Sequence, residues 1–327
     1  MRIVVLDGHT LNPGDNPWDE VAALGDLAVF DRTPVERVVE RGGDADIILT
    51  NKTPLAAATL AQLPRLRLIA EMATGHDNID AAAAGRLGIP VVNVPEYSSV
   101  SVAQHAMALL LELTNRVGEH AAAVREGEWS RAPDFSFWRH ELVGLAGLRL
   151  GIVGLGRIGG RLAAIAHAFG MEILACNPLH RQAPEGIPVT WLELPELFAG
   201  ADAVSLHCPL TPDNRGFVDR GLLGTMKRSA FLVNTARGAL VNEADLAAAL
   251  NDGIIAGAAL DVVSREPISP DNPLLAARNC LITPHLAWAS LAARRRLMAA
   301  TAGNIRAFLS GEPVNVVNGG YLAKEKA

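Results

Sequence analysis

The run Gly154-Leu155-Gly156-Arg157-Ile158-Gly159 constrains this chain more than any other feature. It follows the apolar stretch Leu148–Val153, which reads as a buried strand, and precedes Gly160–Phe169, which reads as a helix. In that context a Gly-x-Gly-x-x-Gly turn binds a dinucleotide. The first glycine permits the tight turn, the second lets backbone approach a pyrophosphate, and the third packs helix on strand. The helix N-terminus adds free N–H groups and partial positive charge. Gly154, Gly156, Arg157, Ile158 and Gly159 are therefore candidate cofactor contacts.

The 327 residues suggest about two domains. Strand-like and helical patterns alternate, which argues for parallel α/β architecture. The first third offers strands at Arg2–Leu6, Leu27–Phe30, Ile47–Thr50, Leu66–Ala70 and Val91–Val92, with helices such as Ala57–Gln62 and Ile79–Leu87 between them. After its first strand stands Asp7-Gly8-His9-Thr10 instead of a glycine fingerprint, so this lobe is not expected to hold the dinucleotide.

One long helix is expected from about Ser101 to Arg125, then an aromatic, irregular stretch from Trp129 to His140. That stretch either packs locally or forms an arm against another subunit. The second lobe offers strands at Leu148–Val153, Met171–Cys176, Ala203–Leu206, Phe231–Asn234, Ala256–Val262 and Cys280–Thr283. Asn242 is a suitable cap for a helix over Glu243–Leu250. A last helix over about Ser290–Leu309 is long enough to return to the first lobe. The expected architecture is two Rossmann-like parallel-sheet α/β domains. Residues 1–100 plus 287–327 form a discontinuous substrate domain, and residues 101–286 form the dinucleotide domain.

A net charge of −6 and the lack of any long basic block disfavour a nucleic-acid partner. The triplet Arg294-Arg295-Arg296 reads as a solvated helix face. No apolar run is long enough for a membrane span, and the N-terminus reads as a strand instead of a signal peptide. The cysteines Cys176, Cys208 and Cys280 show neither metal nor disulfide spacing. A cytoplasmic protein without a metal is expected.

The strand after the fingerprint ends Ala175-Cys176-Asn177. An acidic residue there would bind the adenosine ribose and repel a 2′-phosphate. Asn177 removes the repulsion, and His180 and Arg181 lie just downstream. Either they meet a phosphate, or the loop turns Arg181 to solvent. The residues lean towards NADP(H) or a relaxed choice of NAD(P).

Three further groups fall at expected strand ends, where ligands bind in open α/β sheets. They are Asn234–Gly238 with Arg237, Asp261–Pro267 with Glu266, and Thr283-Pro284-His285. Each alone has a bland reading on a surface or in a loop. Together, beside a nicotinamide site, they suit hydride transfer to a 2-oxo acid. Such chemistry needs a cation for the substrate carboxylate, a proton donor and a carboxylate to tune that donor. Histidine suits the donor role near neutral pH, and a neighbouring Glu266 would favour its charged form.

With these motifs in order, the chain resembles the D-isomer-specific 2-hydroxyacid dehydrogenases over essentially its whole length. Gly154–Gly159, His207-Cys208-Pro209-Leu210-Thr211, Asn234–Gly238, Asp261–Pro267 and Thr283–His285 carry the resemblance. It implies Arg237 as substrate-orienting catalyst, His285 as general acid/base and Glu266 as its partner. Cofactor contacts are implied at His207, Cys208, Pro209, Thr211, Thr235, Ala236, Arg237, Asp261 and His285. The stretch Ala73-Thr74-Gly75 resembles the family's substrate loop, whose N–H groups hold the substrate carboxylate. An active-site cleft between the two domains and a homodimer formed through the cofactor domain are also implied.

Thr50-Asn51-Lys52 and His285–Ser290 most resemble members that reduce hydroxypyruvate or glyoxylate, with Lys52 and Trp288 as further substrate contacts. Each of these two also has a plain structural reading. Asn51-Lys52 disfavours a phosphorylated substrate. Alternatives within the family are another 2-oxo acid, formate or phosphite. In a different class stands a dinucleotide-sensing, corepressor-like protein.

Overall fold

The computed structural model describes residues 1–177 and 181–322, so the expectation for His180 lies outside the described residues. The chain divides into two compact units, Met1–Ser98 with Ala289–Ala327, and Ser99–Trp288.

The first unit holds a parallel sheet in the order β2-β1-β3-β4-β5. Its strands are β1 (Arg2–Val5), β2 (Asp26–Val29), β3 (Ile47–Thr50), β4 (Leu68–Glu71) and β5 (Val91–Val92). Val4, Leu6, Ile48, Ile69 and Val91 form its core with Leu60 and Ala84 from the covering helices and Leu63 from the turn after the first of them. The C-terminal segment belongs to this unit. Its helix Leu291–Leu309 starts at Ser290, whose side chain caps the Ala293 N–H. Asn318 ties the end of the chain to β5, accepting from the Val91 N–H and donating to the Ala81 and Ile89 carbonyls.

Arg294 corrects the expectation of a solvated basic face. It is only 8% exposed. It forks onto the Asp15 carboxylate and donates to the Leu11 carbonyl. Arg296 donates to the Tyr97 carbonyl. Two of the three arginines thus tie the C-terminal helix into its unit.

The second unit holds seven parallel strands in the order β12-β11-β10-β9-β6-β7-β8. They are β6 (Arg149–Val153), β7 (Glu172–Cys176), β8 (Val189–Trp191), β9 (Ala203–Leu206), β10 (Phe231–Asn234), β11 (Gly257–Leu260) and β12 (Cys280–Ile282). Both faces are covered, which is why the strands read as unbroken apolar runs. Ile152, Ala175, Val233 and Ala259 pack with Leu109, Leu110 and Leu162 on one face. Val204, Leu206, Leu232 and Leu260 pack with Leu197, Leu223 and Leu246 on the other.

Strand order reverses at β6, between β7 and β9, and such a switch point opens a crevice at the carboxyl ends of the strands. Among the described residues no helix is long and apolar enough to cross a membrane.

The expected helix 101–125 is two helices, Ser99–Asn115 and Val117–Arg125. Arg116 breaks it by adopting φ 48°. Its guanidinium is held by Asn279 and Glu119, and the Gly118 N–H turns back to the Glu112 carboxylate. The aromatic stretch contains a short helix, Glu128–Arg131, and Trp129 donates to the Phe135 carbonyl. Phe135 and Trp138 remain 91% and 67% exposed.

Candidate active site

In the second unit the fingerprint glycines have three different surroundings. Gly154 has φ +94°, and a Cβ there would lie 2.7 Å from the Cys208 N. The turn is thus pressed against the backbone leaving β9, and the His207 N–H donates to the Val153 carbonyl at 2.8 Å. A Cβ on Gly159 would lie 2.5 Å from the Gly154 carbonyl oxygen. Helix 157–168 therefore packs directly on the turn. A Cβ on Gly156 would meet nothing within 4 Å. Open space stands above the N-terminus of a twelve-residue helix that Gly156 itself precedes. These are the conditions for backbone approach to a pyrophosphate.

Around the turn, Thr235 is buried and its Oγ1 has no partner among the described residues. An unsatisfied hydroxyl is costly unless a ligand completes it. His207 hydrogen-bonds Ser205 Oγ through Nε2 at 2.8 Å. Burial lowers its pKa to about 4, so the ring is neutral at physiological pH. Burial raises the Cys208 thiol to about 11, which leaves it an unreactive wall. Arg157 and Thr211 are exposed, Ile158 and Ala236 half-buried. Pro209 accepts from the Asn214 side chain through its carbonyl. The residues present fit a nicotinamide dinucleotide.

At the adenosine end, Asn177 follows β7 and is half-buried. Arg181 is exposed and pairs with Glu193 at 2.8 Å.

The groups expected to do chemistry follow β10, β11 and β12. Asn234 shapes the first turn, accepting from the Ala236 N–H and donating to the Arg237 carbonyl, each at 2.9 Å. Arg237 is half-buried, and its Nη1 donates to the Ala236 carbonyl. A Cβ on Gly238 would lie 1.9 Å from the Val263 carbonyl carbon. Only glycine lets the Arg237 turn abut the loop after β11. That loop carries Glu266, which accepts from the Val263 N–H at 3.2 Å and from His285 Nδ1 at 2.6 Å. Nδ1 must donate to the carboxylate, which leaves Nε2 as the atom that exchanges a proton.

His285 itself sits at φ +51°. A non-glycine residue in that region costs about 1–3 kcal/mol and persists only where its surroundings hold it. Here Asp261 holds it. The His285 N–H donates to the Asp261 carbonyl at 2.8 Å. The Asp261 carboxylate accepts from Thr283 Oγ1, the Leu286 N–H and the Ala287 N–H at 2.6, 2.9 and 2.9 Å. Burial raises the Asp261 pKa, but hydrogen bonds from His105, Thr283 and these N–H groups bring it below the usual range. His105, on helix 99–115, reaches Thr283 Oγ1 at 3.0 Å. Its only signal in the sequence was a polar interruption of an apolar helix. Trp288, half-buried, ends this unit.

The first unit contains the remaining expected residues. Asp7 accepts the Asn51, Lys52 and Thr53 N–H groups at 2.8, 2.6 and 2.7 Å, which fixes the turn that presents the exposed Lys52. Ala73 is buried, and its carbonyl accepts from the Val94 N–H. The Asn93 side chain holds the Thr74 carbonyl, and Thr74 Oγ1 donates to the Val94 carbonyl. Beneath this loop Glu71 is 1% exposed and accepts from Asn78. Burial pushes its carboxyl well above the usual range. Among the described residues no cluster of His, Cys, Asp and Glu is placed to hold a metal ion.

The sequence matches known proteins over most of its length. Residues 107–287 match the model of the D-isomer specific 2-hydroxyacid dehydrogenase NAD binding domain. This chain belongs to that family. It is 47% identical over 321 residues to a hydroxypyruvate reductase of Blautia hydrogenotrophica, covering 97% of this chain and 100% of that one. It is 42% identical to a glycerate dehydrogenase of Methylorubrum extorquens, covering 86% and 88% of the two chains. An NADPH-dependent glyoxylate/hydroxypyruvate reductase of Sinorhizobium meliloti, solved with NADP and malonate, superposes with a TM-score of 0.83. That structure is 28% identical, with 100% of this chain and 99% of that one covered. The protein is thus an NAD(P)-dependent oxidoreductase of the D-2-hydroxyacid dehydrogenase type.

Proposed function

We propose that this enzyme reduces a small 2-oxo acid, hydroxypyruvate or glyoxylate, to the D-2-hydroxy acid, and catalyses the reverse oxidation. The observation that carries the reading is the His285 Nδ1 to Glu266 pair beside Arg237, on the unit that bears the open glycine turn. When bound, a nicotinamide dinucleotide supplies hydride to C2 of the substrate. Arg237 holds the substrate carboxylate through its guanidinium fork. The N–H groups of Thr74 and Gly75 are assigned to the same carboxylate by the family resemblance, and Lys52 and Trp288 to the rest of the substrate. His285 gives the Nε2 proton to the nascent alkoxide, and Glu266 stabilises the imidazolium before transfer. Asp261 acts through the loop it fixes, by holding His285 in its strained backbone conformation.

At the adenosine end the Arg181–Glu193 pair moderates the lean towards NADP(H), so both coenzymes are accepted. The exposed Phe135 and Trp138 support a homodimer formed through the second unit. The three unpaired cysteines suit a reducing, cytoplasmic setting.

The test is loss of reduced-nicotinamide absorbance with hydroxypyruvate, glyoxylate and pyruvate, each with NADH and with NADPH. Turnover is expected to be fastest with hydroxypyruvate or glyoxylate. Tight dinucleotide binding with no turnover on any 2-oxo acid would favour a sensor instead.

A further inference from the structure

The position after β7 lacks the acidic residue that would discriminate between NAD and NADP, because Asn177 stands there. The edge strand β8 changes that reading. It runs parallel to β7 with Ala175 opposite Trp191. Asn177 and Glu193 each follow that pair by two residues and lie just past the carboxyl ends of β7 and β8. The Glu193 carboxylate reaches Arg181 at 2.8 Å. The Cys176 thiol, at the end of β7, registers both charges. Burial and then Glu193 push its pKa up, while Arg181 pulls it down. A carboxylate and a guanidinium thus share the corner where a 2′-hydroxyl or a 2′-phosphate would be recognised.

We infer that Glu193, supplied by the neighbouring strand, is the specificity-determining carboxylate of the adenosine site. It neutralises Arg181 and repels a 2′-phosphate, and so offsets the attraction that Arg181 alone would exert. The inference rests on the dinucleotide reading of the glycine turn. Glu193 also begins the helix Leu194–Gly200, where it takes part in a capping box. That role alone would affect stability and leave coenzyme choice unchanged.

The experiment is calorimetric titration of NADH and NADPH into the wild type, E193Q, R181Q and E172Q. Gln at 193 keeps an oxygen for capping. Glu172 lies at the opposite end of β7 and controls for net charge. E193Q is expected to shift the affinity ratio about tenfold towards NADPH, as removal of a like charge near a dianion would. R181Q is expected to shift it about as far the other way, and E172Q to leave it within about twofold. An unchanged ratio in E193Q, with both coenzymes still bound, overturns the inference while the dinucleotide site stands. Failure of the wild type to bind either coenzyme overturns the site, and the inference with it.

Discussion

The two parallel sheets share a plan and treat its key position in opposite ways. In each, the first strand lies where strand order reverses, β1 beside β3 and β6 beside β9. In the first unit Asp7 closes that place, drawing three N–H groups from the turn after β3 onto one carboxylate. In the second unit glycine leaves it open, with clear space above Gly156 and an unsatisfied hydroxyl on Thr235. Topology offers a crevice in both. Side chains at one turn decide whether the chain fills it or a phosphate-bearing ligand does.

The largest effect is expected where the open turn is filled. Gly156→Val should lower NADH and NADPH affinity at least about a hundredfold by calorimetry, because the pyrophosphate loses its approach to backbone N–H groups. The melting temperature should hardly move, since the added carbons enter open space. Gly159→Val is the counterpart. Its Cβ meets the Gly154 carbonyl at 2.5 Å, so stability should fall with affinity. Retained affinity in Gly156→Val would break the contrast between the two turns.

Asp7→Ala attacks the closed turn. Loss of the shared acceptor should cost about 2–3 kcal/mol in urea unfolding, with coenzyme affinity unchanged. A coenzyme defect without a stability defect would show that Asp7 serves binding.

A smaller effect comes from His207, beside the Gly154 turn. Its folded pKa of about 4 lies below that of an unfolded histidine, 6.5. The unfolded chain therefore binds the extra proton first as pH falls. The stabilising contribution is full above about pH 6.5 and is lost as pH drops towards 4. His207 is half-buried as a residue, and solvent screens part of the penalty, so the swing is about 2 kcal/mol. His207→Asn should flatten that part of the stability–pH curve, and an unaltered slope would place the titrating group elsewhere.

Much of this was legible in the sequence because both sheets are buried on two faces. Val91–Val92, Ala203–Leu206 and Phe231–Asn234 stand where their apolar runs place them. The Asn242 cap is also in place, accepting the Asp245 N–H. The edge strand β8 was not legible. Strand β8 has three residues, with a threonine between its apolar positions, and follows a stretch rich in proline and glycine. Without it Glu193 could not be set beside Asn177. The break at Arg116 was hidden for another reason. Its side-chain partner Asn279 lies 163 residues away, and no local pattern reports a distant contact. The same holds for His105 and Thr283. The motifs name His285 and Glu266, but the residues that hold His285 at positive φ are known only from packing.

The central claim is that Nε2 of His285, oriented by Glu266, supplies the proton while the coenzyme is held mainly by other groups. The direct test is His285→Gln, with hydroxypyruvate and glyoxylate turnover and coenzyme affinity measured on the same preparation. The account predicts a fall in kcat of about a hundredfold to ten-thousandfold, with NADH and NADPH affinity within about threefold of wild type. Turnover near the wild-type rate would contradict it and move the proton donor to another residue.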